Sequence, residues 1–252
     1  MDSFPHCFRT GNALKNRQSL PPIPPPLTTT MYHIQSSSAF RVICPQFAGR
    51  AIYAEITNSE TSPELWAEIE EEVARLRQHY TTESIKHRTG IAATRAAYKA
   101  AGKDPSRYRP ACEQLARRVL QGKSLYAVNT VVDLVNLASL FSGYSTAALN
   151  ADCIEGDTIE LDLGQANEPY EGIGRGILNI ENLPVYRDRT GGFATPTSDS
   201  VRTMLQLDTT HLLVLINGYD GDEHNLEETV ALTVSLLQRY AHCQAYEVIA
   251  YA

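Results

Sequence analysis

The chain has 252 residues and a mass of 27.9 kDa, and its 43% hydrophobic content is enough for one full core. It has no run of about 18 apolar residues, which excludes a membrane-spanning helix. The formal net charge of −7 by itself speaks against a nucleic-acid partner.

The N-terminal stretch MDSFPHCFRTGNALKNRQ lacks the apolar segment of a secretory signal. The five cysteines, at 7, 44, 112, 153 and 243, form no C-x-x-C pair and suit inert thiols in a reducing, cytoplasmic setting. Residues 1–38 hold six of the thirteen prolines, including Pro21-Pro-Ile-Pro-Pro-Pro26, together with Thr28-Thr-Thr and Ser36-Ser-Ser38. Such a composition cannot bury a core and is expected to be disordered, leaving 39–252 as the folded domain.

Phe40-Arg-Val-Ile-Cys44 and Ala51-Ile-Tyr-Ala-Glu-Ile56 read as strands from their β-branched content. A helix follows, with Ser62 as N-cap, Pro63 at its first position, and Leu65, Ile69, Val73 and Leu76 as its apolar stripe. A second helix runs from Thr89 to about Ala101, where Gly102 can take the left-handed C-cap conformation. The third begins at Pro110 and stops before Gly122. The fourth starts near the cap Asn129 and runs to about Phe141.

That fourth helix is apolar around most of its circumference, so Asp133 and Asn136 are its polar exceptions. Buried side chains of this kind need partners and most often tie a helix to neighbouring loops. Thr158-Ile-Glu-Leu-Asp-Leu163 alternates as a half-buried strand, while Gly, Pro and Asn punctuate 164–197. Leu212-Leu-Val-Leu-Ile-Asn217 is continuously apolar, as a central strand would be. Asn225 with Glu228 resembles a capping box, opening a helix with Leu226, Val230, Val234, Leu237 and Ala241 inward. Tyr246 to Tyr251 closes the chain as a strand. Helices first and irregular strands later give an α+β fold, with helices packed on an irregular, sandwich-like mixed sheet.

The charge distribution qualifies the acidic total. From Lys86 to Lys123 ten Lys and Arg face two acids, Asp104 and Glu113, a local +8 that leaves −15 on the rest. Such asymmetry marks a phosphate partner on one face, although a solvated helical face gives the same pattern. Arg107, Arg109, Arg117 and Arg118 offer planar forks for phosphate oxygens, with Tyr108 placed to stack on a base and Lys103 and Lys123 widening the track.

The order of Gly102-Lys-Asp-Pro-Ser-Arg-Tyr-Arg-Pro110, then Arg117-Arg118, then Val131-Val-Asp-Leu-Val-Asn136 resembles the tRNA-binding and editing domain of the phenylalanyl-tRNA synthetase beta subunit, the B-three/B-four domain. It is more similar still to free-standing members of that family, and the resemblance covers about Phe40 to Tyr219. It implies an α+β domain with a ligand pocket, tRNA or aminoacyl-tRNA as partner, an amino-acid moiety as ligand, and hydrolysis of mischarged tRNA in trans. In the synthetase domain the pocket uses a His in a Pro-x-His-Ala-Phe-Asp pattern. Here Ser145-Thr-Ala-Ala-Leu-Asn150 puts Ala147 at the His position and Asn150 at the Asp position.

The stretch Gly191-Gly-Phe-Ala-Thr-Pro-Thr-Ser-Asp-Ser-Val-Arg-Thr203 is similar to the family's Asp-Ser-x-x-Thr box, here Asp199-Ser200-Val-Arg-Thr203. Gly191 and Gly192 would let backbone approach a ligand, with Ser198, Asp199 and Arg202 binding it. Ser200, Thr203, Asp208 and Thr209 are the candidate catalytic groups, and Asp208 or Asp199 could hold an ammonium. The same Ser, Thr and Asp side chains would also serve an ordered turn.

A triad of Ser200, Asp208 and His211 lacks a nucleophile elbow, no histidine shows metal-ligand spacing, and Gly172-Ile-Gly-Arg-Gly176 reads as a plain turn. No cofactor and no metal are expected. Two other functions remain open: a non-catalytic module binding tRNA or an amino acid, and an enzyme acting on a free amino-acid-like small molecule.

Overall fold

Residues 32–252 are described by a computed structural model, and their architecture is organised around the strand expected to be central. In chain order the elements are β1 (His33–Ser36), α1 (Ser38–Ile43), β2 (Ala48–Glu55), α2 (Pro63–His79), α3 (Thr89–Ala100), α4 (Ala111–Leu120), α5 (Thr130–Ser142), β3 (Thr146–Asn150) and β4 (Thr158–Leu163). There follow β5 (Glu171–Gly172), β6 (Gly176–Ile177), β7 (Pro184–Arg187), β8 (Gly192–Ala194), β9 (His211–Gly218), α6 (Glu223–Tyr240) and β10 (Tyr246–Tyr251). The fold is α+β. Among the described residues no helix is long and apolar enough to cross a membrane.

One sheet has the order β10-β2-β9-β3 and is antiparallel throughout; the other has the order β1-β4-β7-β8, with β1 parallel to β4. Strand alternation shows why β9 is apolar on both faces. Leu212, Val214 and Ile216 face a core shared with α2, α4, α5 and α6, whereas Leu213 and Leu215 face a second core between the sheets. The order is therefore helices, central sheet, second sheet. The sequence run is continuous because water meets neither side of it.

Three local expectations change. Phe40–Ile43 lies in α1 and is not a strand: Ser37 Oγ accepts from Phe40 N at 3.1 Å, and this N-cap sets a turn in which Phe40 is buried and Val42 exposed. Residues 32–38, expected to be disordered, are placed: Tyr32 is buried and β1 pairs with Thr158–Leu161. The rest of that expectation, residues 1–31, lies outside the described residues. The last helix starts at Glu223 on the cap Asp222, whose Oδ1 accepts from Asn225 N at 3.0 Å, so Asn225 is inside the first turn.

Elsewhere the end signals hold. Ser62 and Asn129 cap α2 and α5 through Leu65 N (3.3 Å) and Val132 N (2.9 Å), and Gly102 takes φ +81° after α3. Asp133 is buried and performs scaffold work: its Oδ2 accepts from Thr61 Oγ1 at 2.5 Å and from Val128 N at 3.2 Å. Asn136 is half-buried and opens instead onto a cleft beside α4.

Candidate functional site

The cleft forms where α4 begins. The loop from Ala194 to Ser200 crosses its base and is held at nearly every step. Thr195 Oγ1 donates to Ser198 O (2.9 Å) and accepts from Thr197 N and Ser198 N (3.2 and 3.1 Å). Tyr170 Oη donates to Ser198 O at 2.8 Å, and Ala111 N, the first amide of α4, donates to Pro196 O at 2.7 Å. Thr197 Oγ1 donates to Tyr108 O at 2.8 Å and lies 2.9 Å from the buried Tyr98 Oη. A Pro-containing loop with this many internal bonds is a rigid platform.

Two spaces meet on that platform. An outer cleft of about 560 Å³ is lined by Ala111, Gln114, Leu115, Asn136, the hairpin tip Ile173-Gly-Arg175 and Thr197 to Asp199. An inner chamber of about 30 Å³ lies between the sheets, walled by Ala111, Ala147 and Ala194 and floored by Tyr186 and Asn217. Ser198 and Asp199 line both. The hairpin of β5 and β6 reaches over the outer cleft, with Ile173 N donating to Asp199 O at 2.9 Å and the Arg175 guanidinium bonded to the Gln114 side chain.

Asp199 keeps a partly open surface toward these spaces, while protein closes around it on its other sides. Loss of solvent pushes its carboxyl up to about 8, and the amides of Thr195 and Ala148 only partly offset this. A carboxyl in that state exchanges its proton for an incoming cation near neutral pH. Among the described residues no group of three or more His, Cys, Asp and Glu side chains is gathered that could hold a metal.

The expected catalytic residues do not converge here. Ser200 Oγ accepts from Arg202 N at 3.3 Å, buried Thr203 bonds Phe193 O at 3.4 Å, and Thr209 Oγ1 accepts from Gln206 N at 2.9 Å. Asp208 is exposed on the following turn. None of the four lines the cleft or the chamber, and the hydroxyls serve the local backbone.

Of the expected binding residues, Ser198 and Asp199 stand in the site. Arg202 does not: it grips the buried Asp188 carboxylate at 2.9 and 3.0 Å and donates to Cys153 O. Gly191, at φ +142°, serves the hairpin between β7 and β8, and a Cβ at Gly192 would meet Val185 Cγ1 at 2.9 Å, so packing and not ligand approach requires it. His211, the first residue of the central strand β9, pairs with Asp152 at 2.9 Å.

The basic track is thinner than the sequence promised. Glu113, counted there as one of two stray acids, is fully buried and holds Arg95 and Arg117 at 2.8 Å each and Arg109 at 3.5 Å. Lys103 is buried and donates to Asn179 O (3.0 Å) and Glu181 O (2.5 Å), with its ammonium 4.0 Å from the Tyr108 ring centre. Tyr108 is therefore partly covered and Lys103 is structural. Arg107 and Lys123 are exposed. Arg118 lies on the same side of α4 as Ala111, Gln114 and Leu115, its guanidinium 3.8 Å above the exposed Tyr126 ring.

Sequence reasoning missed Gln114, Ile173, Arg175, Tyr186 and Asn217. Asn217 had a signal, as the one amide ending an apolar run, and so did Arg175, at the tip of a glycine-punctuated turn. Ala147, at the position of the family histidine, walls the inner chamber with a methyl, while Asn150 lies apart and accepts from Asp152 N at 3.1 Å.

No curated protein matches the chain. Among solved structures it is similar to an N-terminal fragment of the phenylalanyl-tRNA synthetase beta subunit from Pyrococcus horikoshii, at 9% identity and a TM-score of 0.43. That alignment covers 90% of this chain and 53% of the other, so the chain spans about half the length of that fragment. The assignment rests on the family model for the B3/4 domain, which matches residues 93–241, more than half the sequence, and the chain belongs to the B3/4 domain family.

Proposed function

We propose that this protein recognises the aminoacylated end of a tRNA, with the α-ammonium of the amino acid on Asp199 and the RNA leaving through the outer cleft along α4. The observation that carries the reading is Asp199 itself, a carboxyl withheld from solvent at the junction of a small chamber and a larger open cleft. A half-buried acid without a basic side chain bonded to it suits a cation brought by the ligand. Arg175, Arg118 and Tyr126 lie outward of it, where phosphate and base would follow.

Ester hydrolysis in trans is the second reading. Ser198 lines both spaces, and the chamber is large enough to hold a water beside the ester carbon. Binding of charged and uncharged tRNA pools to the wild type and to Asp199→Asn tests the first reading. Charged tRNA should bind more tightly, and the substitution should erase the preference; equal affinity for both pools in the wild type would sink it. Ester loss followed in the same mixtures decides whether binding leads to turnover.

A further inference from the structure

The inner chamber limits what the ligand can be. Its volume of about 30 Å³ corresponds to roughly two water-sized occupants. Its floor is fixed. Tyr186 Oη donates to Asn217 Oδ1 at 2.7 Å and lies 2.7 Å from Tyr251 Oη, and Asn217 Nδ2 donates to Ser145 O at 2.8 Å. All four of these residues are buried, so enlarging the chamber would break bonds that have no water to replace them. Its walls include Ala111, Ala147 and Ala194 beside Ser145, Thr146, Thr195 and Pro196, and Ala147 sits on β3 opposite Leu215 of the central strand. A close-packed wall of this kind does not yield to a larger group without strain.

The direction of the ligand follows from its connectivity, and this step rests on the ammonium contact proposed above. With the ammonium on Asp199 and the ester continuing outward to RNA, the side chain is the substituent of Cα that turns inward. We propose that the site selects amino acids with side chains of one or two heavy atoms, alanine or serine in kind, and excludes aromatic ones. The three alanines suit a methyl group. The Asn217 amide, which has one N–H beyond its bond to Ser145 O, suits a hydroxyl oxygen.

The test is calorimetric binding of three nonhydrolysable esters' analogues, 3′-alanylamino-, 3′-serylamino- and 3′-tyrosylamino-3′-deoxyadenosine, to the full chain. The alanyl and seryl compounds should bind at least about 100-fold more tightly than the tyrosyl one. Ala147→Gly, which widens the chamber, should narrow that gap, and Ala147→Leu, which fills it, should abolish alanyl binding; should either variant fail to fold, the wild-type ranking alone decides. Tyrosyl binding equal to or tighter than alanyl binding would overturn the size selection while leaving the ammonium contact standing. Absence of binding by all three would sink the aminoacyl reading and the selection with it.

Discussion

In the folded protein the Asp199 carboxyl keeps its proton to about pH 8, whereas in the unfolded chain it releases it near the ordinary value of 3.8. The folded state therefore binds the extra proton between those values, and stability must fall as pH rises through that window. Asp199→Asn has no such proton to lose. Its melting temperature should match the wild type near pH 4 and exceed it at pH 8, by on the order of 1–3 kcal/mol in stability; a difference independent of pH would contradict the buried-acid assignment. On the proposed reading the same proton governs ligand capture. An ammonium must displace it, so affinity for an aminoacyl amide should climb toward pH 8 and decline as the ligand's own amine, with a pKa of about 8, loses its charge. Glu113 differs from it in having three guanidiniums around its buried carboxylate. Glu113→Ala leaves Arg95 and Arg117 without their shared partner and should cost roughly 3–5 kcal/mol, read from denaturant unfolding. A loss below about 1 kcal/mol would place those arginines in solvent.

Helix ends were the most legible elements, because caps are local chemistry: Ser62, Asn129 and Gly102 act within a few residues of their own position. The same locality explains the misreading of Phe40–Ile43, where β-branched content pointed to a strand but Ser37 supplied the cap. The site was less legible because its walls come from α4, β3, β7, β9, the 194–199 loop and the short β5–β6 hairpin, segments distant in sequence. Ser198 and Asp199 were recognisable as a polar loop, but nothing local distinguishes Asp199 in the cleft from Asp208 on the surface. Asp133 shows how an element depends on such a bond. It ties the first turn of α5 to Thr61 and Val128, and Asp133→Ala should lower stability by roughly 1–3 kcal/mol. A melting temperature equal to the wild type would remove that scaffold role.

Across the whole molecule, net charge and charge placement act on different quantities. The ten cations between Lys86 and Lys123 suggested a broad phosphate track, but Arg95, Arg109 and Arg117 surround Glu113, Lys103 holds the 179–181 backbone, and Arg88 donates to Leu140 O at 2.6 Å at the end of α5. Half of the run is thereby committed to folding; Lys99, Arg107 and Lys123 stay exposed, Arg118 divides itself between Ser124 O (2.6 Å) and the Tyr126 ring, and on the proposed reading these four, with Arg175 from the hairpin, are the cations left for RNA. A protein of net charge −7 with so few outward cations should bind tRNA weakly and with modest salt sensitivity. If three to five phosphates are neutralised, the log-log slope of affinity against salt should lie near −2 to −4.5, at about −0.7 to −0.9 per phosphate. Arg107→Ala and Lys123→Ala should each make the slope shallower by about one such step without changing the melting temperature. Lys103→Ala should do the reverse, lowering stability while leaving the slope alone, because its ammonium is bonded to backbone oxygens. A flat salt dependence in the wild type would mean that the basic run serves the fold alone, and would leave the proposed amino-acid contact at Asp199 to stand without RNA.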